Sequence, residues 1–187
     1  MEQLKQEVLK CQKCELCKTK INYVFGEGSV NSKIMFIGEA PGANEDKTGK
    51  PFVGRAGEVF DKLLKSISIN RNSIYICNIL KCRPPKNRNP FPDEILSCTP
   101  YLNLQIDKIK PKVICTLGNY ATMFILKKYM LHDKLEGISK LHGKVFKITN
   151  LFGTMELIPL YHPAVATYNP DMIDVLIKDF KLLEERE

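Results

Sequence analysis

The sequence predicts an α/β fold, with a mostly parallel sheet covered by helices on both faces. Three observations lead there. The segments Lys33 to Ile37, Ile74 to Leu80 and Val113 to Leu117 are short apolar runs of strand length. Stretches with apolar residues at helical spacing lie between them, an alternation that builds parallel sheets. The first and third runs stop at turn-forming residues, Gly38 and Gly118-Asn119. At 187 residues the chain is long enough for one core, and a single domain spanning 1–187 is expected.

The elements follow in order. Residues 2–10 read as a short amphipathic helix with Leu4, Val8 and Leu9 on one face, leading into the first cysteines. Lys33 to Ile37 is the first strand. It ends in Gly38-Glu39-Ala40-Pro41-Gly42, followed by a polar loop and then Pro51-Phe52-Val53-Gly54. A helix beginning near Ala56 turns Val59, Phe60, Leu63 and Leu64 inward. Ile74 to Leu80 is the second strand, and the Pro/Asn/Arg-rich loop CRPPKNRNPFP follows it. Asp93 opens a helix to about Ile109, with a break expected at Pro100 because proline lacks the N–H that a helix interior needs. Val113 to Leu117 is the third strand, and Gly118-Asn119 turns into a helix through about Lys127. Lys144 to Asn150 and Thr154 to Tyr161 read as two strands joined by a turn at Gly153, the second ending in His162-Pro163. Asp171 to Glu185 is a terminal helix with Ile173, Val175, Leu176, Phe180 and Leu183 apolar.

Lys and Arg outnumber Asp and Glu by 28 to 21, a formal charge of +7, which suits a polyanionic partner such as nucleic acid. Nothing approaches a run of about 18 apolar residues, so no transmembrane helix is expected. The N-terminal MEQLKQEVLKCQKCELC lacks the apolar core of a signal peptide, and an intracellular location is expected.

Seven cysteines are many for such a chain. Stable disulfides are rare inside cells, so ligation of a metal or cluster is favoured. Cys11-x2-Cys14 lies near the N-terminus, Cys82 just after the second strand, and Cys98 in the next helix. Together they are candidates for one four-cysteine site holding zinc or an iron–sulfur cluster. Cys17 extends the first pair to CxxCxxC, but no CxxxCP follows, so the ferredoxin pattern is incomplete. Cys77 and Cys115 sit inside apolar strands and read as small buried hydrophobes.

Ligands of α/β sheets bind in the crevice at the carboxyl ends of the strands. The first strand delivers to that crevice two glycines, three acids (Glu39, Glu45, Asp46) and Phe52 on a glycine-flanked loop. Glycines let backbone approach a ligand closely, and an aromatic ring beside them can stack on a flat one.

One ordered set of motifs sharpens this picture. It comprises Cys11-x2-Cys14, Val24-Phe25-Gly26-Glu27-Gly28, Gly38-Glu39-Ala40-Pro41-Gly42, Glu45-Asp46-Lys47-Thr48-Gly49, Pro51-Phe52-Val53-Gly54, Asn78-x3-Cys82-Arg83-Pro84-Pro85, Asn87-Arg88, Cys98 and His162-Pro163-Ala164. The set resembles the family 4 uracil-DNA glycosylases, the iron–sulfur-containing type of thermophilic bacteria and archaea, from Cys11 to roughly Pro170. The resemblance implies a three-layer α/β/α sandwich with a central four-stranded parallel sheet. It also implies a [4Fe–4S] cluster on Cys11, Cys14, Cys82 and Cys98 that fixes loops near DNA. Cys17 matches no family cysteine and is left as a bystander. The implied activity is extraction of uracil from DNA and hydrolysis of its N-glycosidic bond, leaving an abasic site and starting base excision repair.

The resemblance also suggests roles. Phe52 would stack on the flipped uracil. The Asn78 amide would donate to uracil O4 and accept from N3–H, a pattern that cytosine reverses, and such paired sites discriminate strongly. His162 would donate to O2 as negative charge develops there. Glu39 would orient water or stabilise the cationic sugar. Glu45 would wall the pocket where the thymine methyl sits, and the roles of the two acids are exchangeable at this point. Ala40 stands where family 1 enzymes carry a water-activating Asp. Lys47, Lys50 and Arg55, with Lys81, Arg83, Lys86 and Arg88, flank the two loops as phosphate contacts.

The family often continues after its histidine with Leu and Arg in a wedge loop. Here Val165-Ala166-Thr167-Tyr168 follows, and Tyr168 is the candidate wedge. His132 and His142 lie in a charged segment and read as solvated surface. No lysine is placed as a Schiff-base nucleophile, so no strand cleavage is expected. The expected partners are uracil-containing DNA, single- or double-stranded, with a sliding clamp as a further candidate. The chain is expected to act as a monomer, without a membrane, in the nucleoid-associated cytoplasm.

Two rivals share part of this pattern. A non-enzymatic nucleic-acid-binding module with a structural zinc shares the charge and cysteines, but leaves an acid, a Phe, an Asn and a His at strand ends unexplained. A phosphate-binding hydrolase using Gly38 to Gly42 lacks the Gly-Lys-Ser/Thr ending of a P-loop.

Overall fold

The computed structural model describes residues 1–150 and 153–186. In chain order the elements are α1 (Glu2–Leu9), α2 (Leu16–Thr19), β1 (Glu27–Gly28), β2 (Ile34–Gly38), α3 (Ala43–Thr48), α4 (Arg55–Ser66), β3 (Tyr75–Asn78), α5 (Pro92–Ile109), β4 (Val113–Leu117), α6 (Asn119–Lys128), α7 (Ile138–Leu141), β5 (Phe146–Asn150), β6 (Gly153–Leu160), α8 (Val165–Tyr168) and α9 (Met172–Phe180).

The strands form one sheet in the order β1-β3-β2-β4-β6-β5. The inner four, β3, β2, β4 and β6, are parallel, as the resemblance implied. The sheet is nevertheless mixed and six-stranded, because β1 and β5 add an antiparallel strand at each edge. β1 is two residues long, too short to leave a periodic signal in sequence. β5 and β6 are the foreseen pair, with Asn150 opposite Gly153; residues 151–152 of the expected turn lie outside the described residues.

Strand alternation divides the core in two. Ile34, Phe36, Ile74, Ile76, Val113, Cys115, Ile158 and Leu160 face α4 and α9, meeting Phe60, Leu63, Leu64, Leu176 and Phe180. Met35, Ile37, Tyr75, Cys77, Ile114 and Leu157 face the other way, toward α1, α5, α6 and α7. These are the three layers of an α/β/α sandwich. The chain leaves β2 for α4 on one face and leaves β4 for α6 on the other. Between them the connections part, opening a crevice at the carboxyl ends of the parallel strands.

Three local expectations change. The polar loop after Gly42 contains α3, whose sequence ANEDKT has no apolar stripe. It is held instead by polar anchors: Glu45 accepts the Gly42 N–H, and Asp46 Oδ1 accepts the Ile21 and Asn22 N–H groups. α5 runs through Pro100 without a break. Pro100 lies on the exposed side, while Cys98, Tyr101, Leu102, Gln105 and Ile106 keep the opposite face packed. α9 ends at Phe180 and continues as a single 3-10 turn, Lys181–Leu183, which still buries Leu183.

Candidate active site

A cleft of about 350 Å³ opens at this crevice. Glu39, Glu45, Phe52, Asn78 and His162, the five residues expected to handle the base and the sugar, all line it. They arrive from three strand ends: Glu39 after β2, Asn78 at the end of β3, and His162 two residues after β6.

Register and one missing side chain bring the recognition groups together. Gly38 pairs with Asn78 across the parallel ladder. A Cβ on Gly38 would lie 2.3 Å from Asn78 Oδ1 and 2.8 Å from Phe52 Cζ. Glycine therefore lets the amide and the ring share one wall of the cleft. Asn78 is 2% exposed, and among the described residues its amide has no hydrogen-bond partner. The amide opens onto the cleft, where a ligand can fill its valences.

Phe52 adopts φ = 51°, a region that non-glycine residues enter at a cost of about 1–3 kcal/mol and that tends to mark functional positions. Its neighbours hold it there. Val53 and Gly54 N–H both donate to Glu45 Oε1 at 2.9 Å, and Arg71 donates to the Pro51 carbonyl at 2.7 Å. The Phe52 carbonyl lies so close to Gly57 that a Cβ there would come within 2.1 Å of it. The ring packs on Phe60 and lies 5.6 Å from the His162 ring, inclined at 30°.

The two acids differ in their commitments. Glu45 already accepts three backbone N–H groups, from Gly42, Val53 and Gly54. Among the described residues the Glu39 carboxylate has no hydrogen-bond partner, and burial raises its pKa above the ordinary range. Burial also drives the His162 pKa down to about 4, against a weaker upward pull from Glu45. His162 is therefore neutral at pH 7. Its Nδ1 accepts the Ala164 N–H at 3.2 Å, which leaves the proton on Nε2 as a donor.

On the other side of β3, Cys11, Cys14, Cys17, Cys82 and Cys98 line one apolar recess with Tyr23, Lys81 and Tyr101. All seven cysteines are free thiols. Burial raises the Cys14 and Cys82 pKa values and pushes Cys98 up to about 11, and neighbouring thiols add to each shift. A bound cation would reverse that penalty. Among the described residues no three His, Cys, Asp or Glu side chains converge closely enough to hold one metal ion. Five thiols lining one apolar recess are the soft donors that a thiolate-held metal centre takes. Asn22 Nδ2, donating to the Asp46 and Lys47 carbonyls, ties the cysteine segment to α3 and so to the cleft.

A sequence model described as the uracil DNA glycosylase superfamily matches residues 25–185. This chain belongs to that superfamily. It is 48% identical over 187 residues to a type-4 uracil-DNA glycosylase of Saccharolobus solfataricus, covering 99% of this chain and 85% of that protein. A type-4 uracil-DNA glycosylase of Archaeoglobus fulgidus is 42% identical, covering 99% of this chain and 92% of its own length. One from Thermotoga maritima is 41% identical, with 90% and 84% covered.

Within this uracil DNA glycosylase fold some expected residues stand elsewhere. Lys81 is 1% exposed and points into the protein, so it is not a phosphate contact. Arg83 donates to Asn87 Oδ1 at 2.7 Å. Arg88 lines the cleft, but donates to both oxygens of the buried Glu94 carboxylate at 2.9 and 2.6 Å and lies over the Phe91 ring. Lys47, Lys50, Arg55 and Lys86 are exposed, as phosphate contacts must be. His132 is exposed, but His142 is half-buried, with Nδ1 2.7 Å from Asp179 Oδ2 and its ring against Tyr161. The contact exists because α9 packs beside the exit of β6, a juxtaposition absent from local sequence. Tyr168 ends α8 at 86% exposure. Sequence reasoning missed Gly38 as a spacing residue and Gln105 as a buried polar anchor. The signal for Gly38 was available, since it is the glycine aligned with the end of the next strand.

Proposed function

We propose that the chain is a monofunctional type-4 uracil-DNA glycosylase, a hydrolase that removes uracil from DNA and leaves an abasic site. The observation that carries this reading is the convergence of Glu39, Glu45, Phe52, Asn78 and His162 in one cleft of a chain of this superfamily. DNA is the substrate, and flipping the base costs roughly a few kcal/mol of pairing and stacking. Phe52, fixed by its backbone, offers a stacking face. The unpartnered Asn78 amide takes uracil O4 and N3–H. Neutral His162 donates Nε2–H to O2 as the bond to the sugar breaks, so its charge does not change beforehand. Glu39, desolvated and uncommitted, orients the attacking water or stabilises the cationic sugar. Glu45 is the rigid wall, because its three backbone bonds prevent it from swinging aside for a methyl group. Among the described residues no lysine lines the cleft, which supports hydrolysis without strand cleavage.

Cys11, Cys14, Cys82 and Cys98 would hold a [4Fe–4S] cluster, with Cys17 lining the same recess. When bound, the cluster would supply a structural cross-link between the N-terminal segment, the loop after β3 and α5. The rival of a non-enzymatic zinc module has no support from the superfamily match. The deciding assay is release of free uracil from a defined oligonucleotide, with thymine- and cytosine-containing controls. Uracil release, silence on both controls and loss of release in Asn78→Ala are expected. Full release by Asn78→Ala would overturn the recognition scheme.

A further inference from the structure

One buried cation lies between the two sites. Lys81 Nζ donates to the Asn78 carbonyl at 2.7 Å and to Gln105 Oε1 at 2.7 Å. Gln105 is fully buried, and its Nε2 donates to the Phe25 carbonyl at 2.8 Å and to Tyr75 Oη at 2.9 Å. Both amide hydrogens are therefore committed, and Oε1 is fixed toward the lysine. Among the described residues no carboxylate meets this ammonium. A charge buried beside neutral acceptors alone is expensive, and proteins bury lysine where an anion compensates it. The missing anion has a place. Lys81 lines the recess rimmed by the five cysteines, and its backbone N–H donates to Cys98 Sγ at 3.2 Å.

We propose that Lys81 is the buried counter-cation of the thiolate-held cluster and a positioning residue for Asn78. This rests on the cluster reading above. Four thiolates around a [4Fe–4S] core leave a net negative charge, and the lysine supplies the opposing positive one. The same ammonium holds the Asn78 carbonyl, at the strand end whose amide reads the base. Charge at the recess and geometry at the cleft thus share one side chain. No proton or electron need move for this role.

Two substitutions test it on the intact protein, prepared anaerobically. Lys81→Met keeps the length and the burial and removes the charge. Gln105→Glu keeps the lysine and gives it a carboxylate. The readouts are iron content, visible absorbance, cluster reduction potential, the rate of iron loss to a chelator, and melting temperature before and after iron removal. Lys81→Met is expected to load iron, to lose it several-fold faster than the parent, and to show a more negative potential. Uracil-over-cytosine selectivity falls in the same variant. Gln105→Glu is expected to show a more negative potential and a smaller drop in melting temperature on iron removal, because its lysine keeps an anion. If the parent protein carries no iron, the cluster reading fails and takes this inference with it. If the parent carries a cluster and both variants match its potential and iron-loss rate, the inference about Lys81 alone is overturned. Should Lys81→Met not fold, Gln105→Glu decides alone.

Discussion

A methyl group on Gly38 would displace the Asn78 amide, the Phe52 ring or both, since its ideal position is 2.3 Å from one and 2.8 Å from the other. Gly38→Ala is therefore expected to lower uracil release by tenfold or more, and to cost about 1–3 kcal/mol of stability by overpacking. Oligonucleotide kinetics and a melting curve on the same preparation check both parts. Acid sensitivity belongs to a different residue. The His162 pKa of about 4 keeps the imidazole neutral well below pH 6.5, its ordinary value, so it does not set the acid limb of kcat/KM. Glu39, raised above its ordinary 4.5, does. Activity is expected to rise with pH as Glu39 ionises, and Glu39→Gln is expected to lower activity and flatten that limb. The folded chain also holds fewer protons on His162 than the unfolded chain between pH 6.5 and about 4. Stability linked to His162 accordingly declines as pH falls through that window. That Glu39, Glu45, Phe52, Asn78 and His162 share one cleft was legible because strand ends and the loops after them are visible in sequence. Lys81 was not, because a lysine in a basic loop looks the same whether it faces solvent or the Gln105 amide, 24 residues further on in α5. His142 escaped for the same reason, its partner Asp179 being supplied by α9.

At the scale of elements, sequence period locates structure only where burial follows period. α4 and the parallel strands obey it. α3 does not, since its anchors are Glu45 and Asp46 rather than an apolar stripe, and α5 is the converse case. A proline signals a break, but the packed face from Cys98 to Ile109 outweighs one missing bond. Pro100 cannot donate to the carbonyl of Leu96, which is 76% exposed. Pro100→Ala restores that donor and is expected to raise the melting temperature, by an amount on the order of 1 kcal/mol in stability. Uracil release is expected to stay at the parent level, because Pro100 is exposed and is not among the residues that line the cleft.

For the whole molecule, the charge of +7 and the exposed Lys47, Lys50, Arg55 and Lys86 predict binding to DNA that weakens as salt rises. On duplex substrates an additional group must fill the vacated stack, and Tyr168 is the exposed aromatic on the loop after His162. Tyr168→Ala is expected to slow uracil release from duplex by several-fold more than from single strands. Equal losses on both would remove Tyr168 from the wedge role. The two short edge strands have a separate consequence, for solubility. A bare four-stranded parallel sheet would present two open rows of backbone donors and acceptors, each a template for another chain. β1 covers one row for only two exposed residues, and β5 borders the other with the exposed Lys147 as its second residue. Neither border offers a long, flat, uncharged strand, so crowded copies on one DNA are protected against joining sheet to sheet.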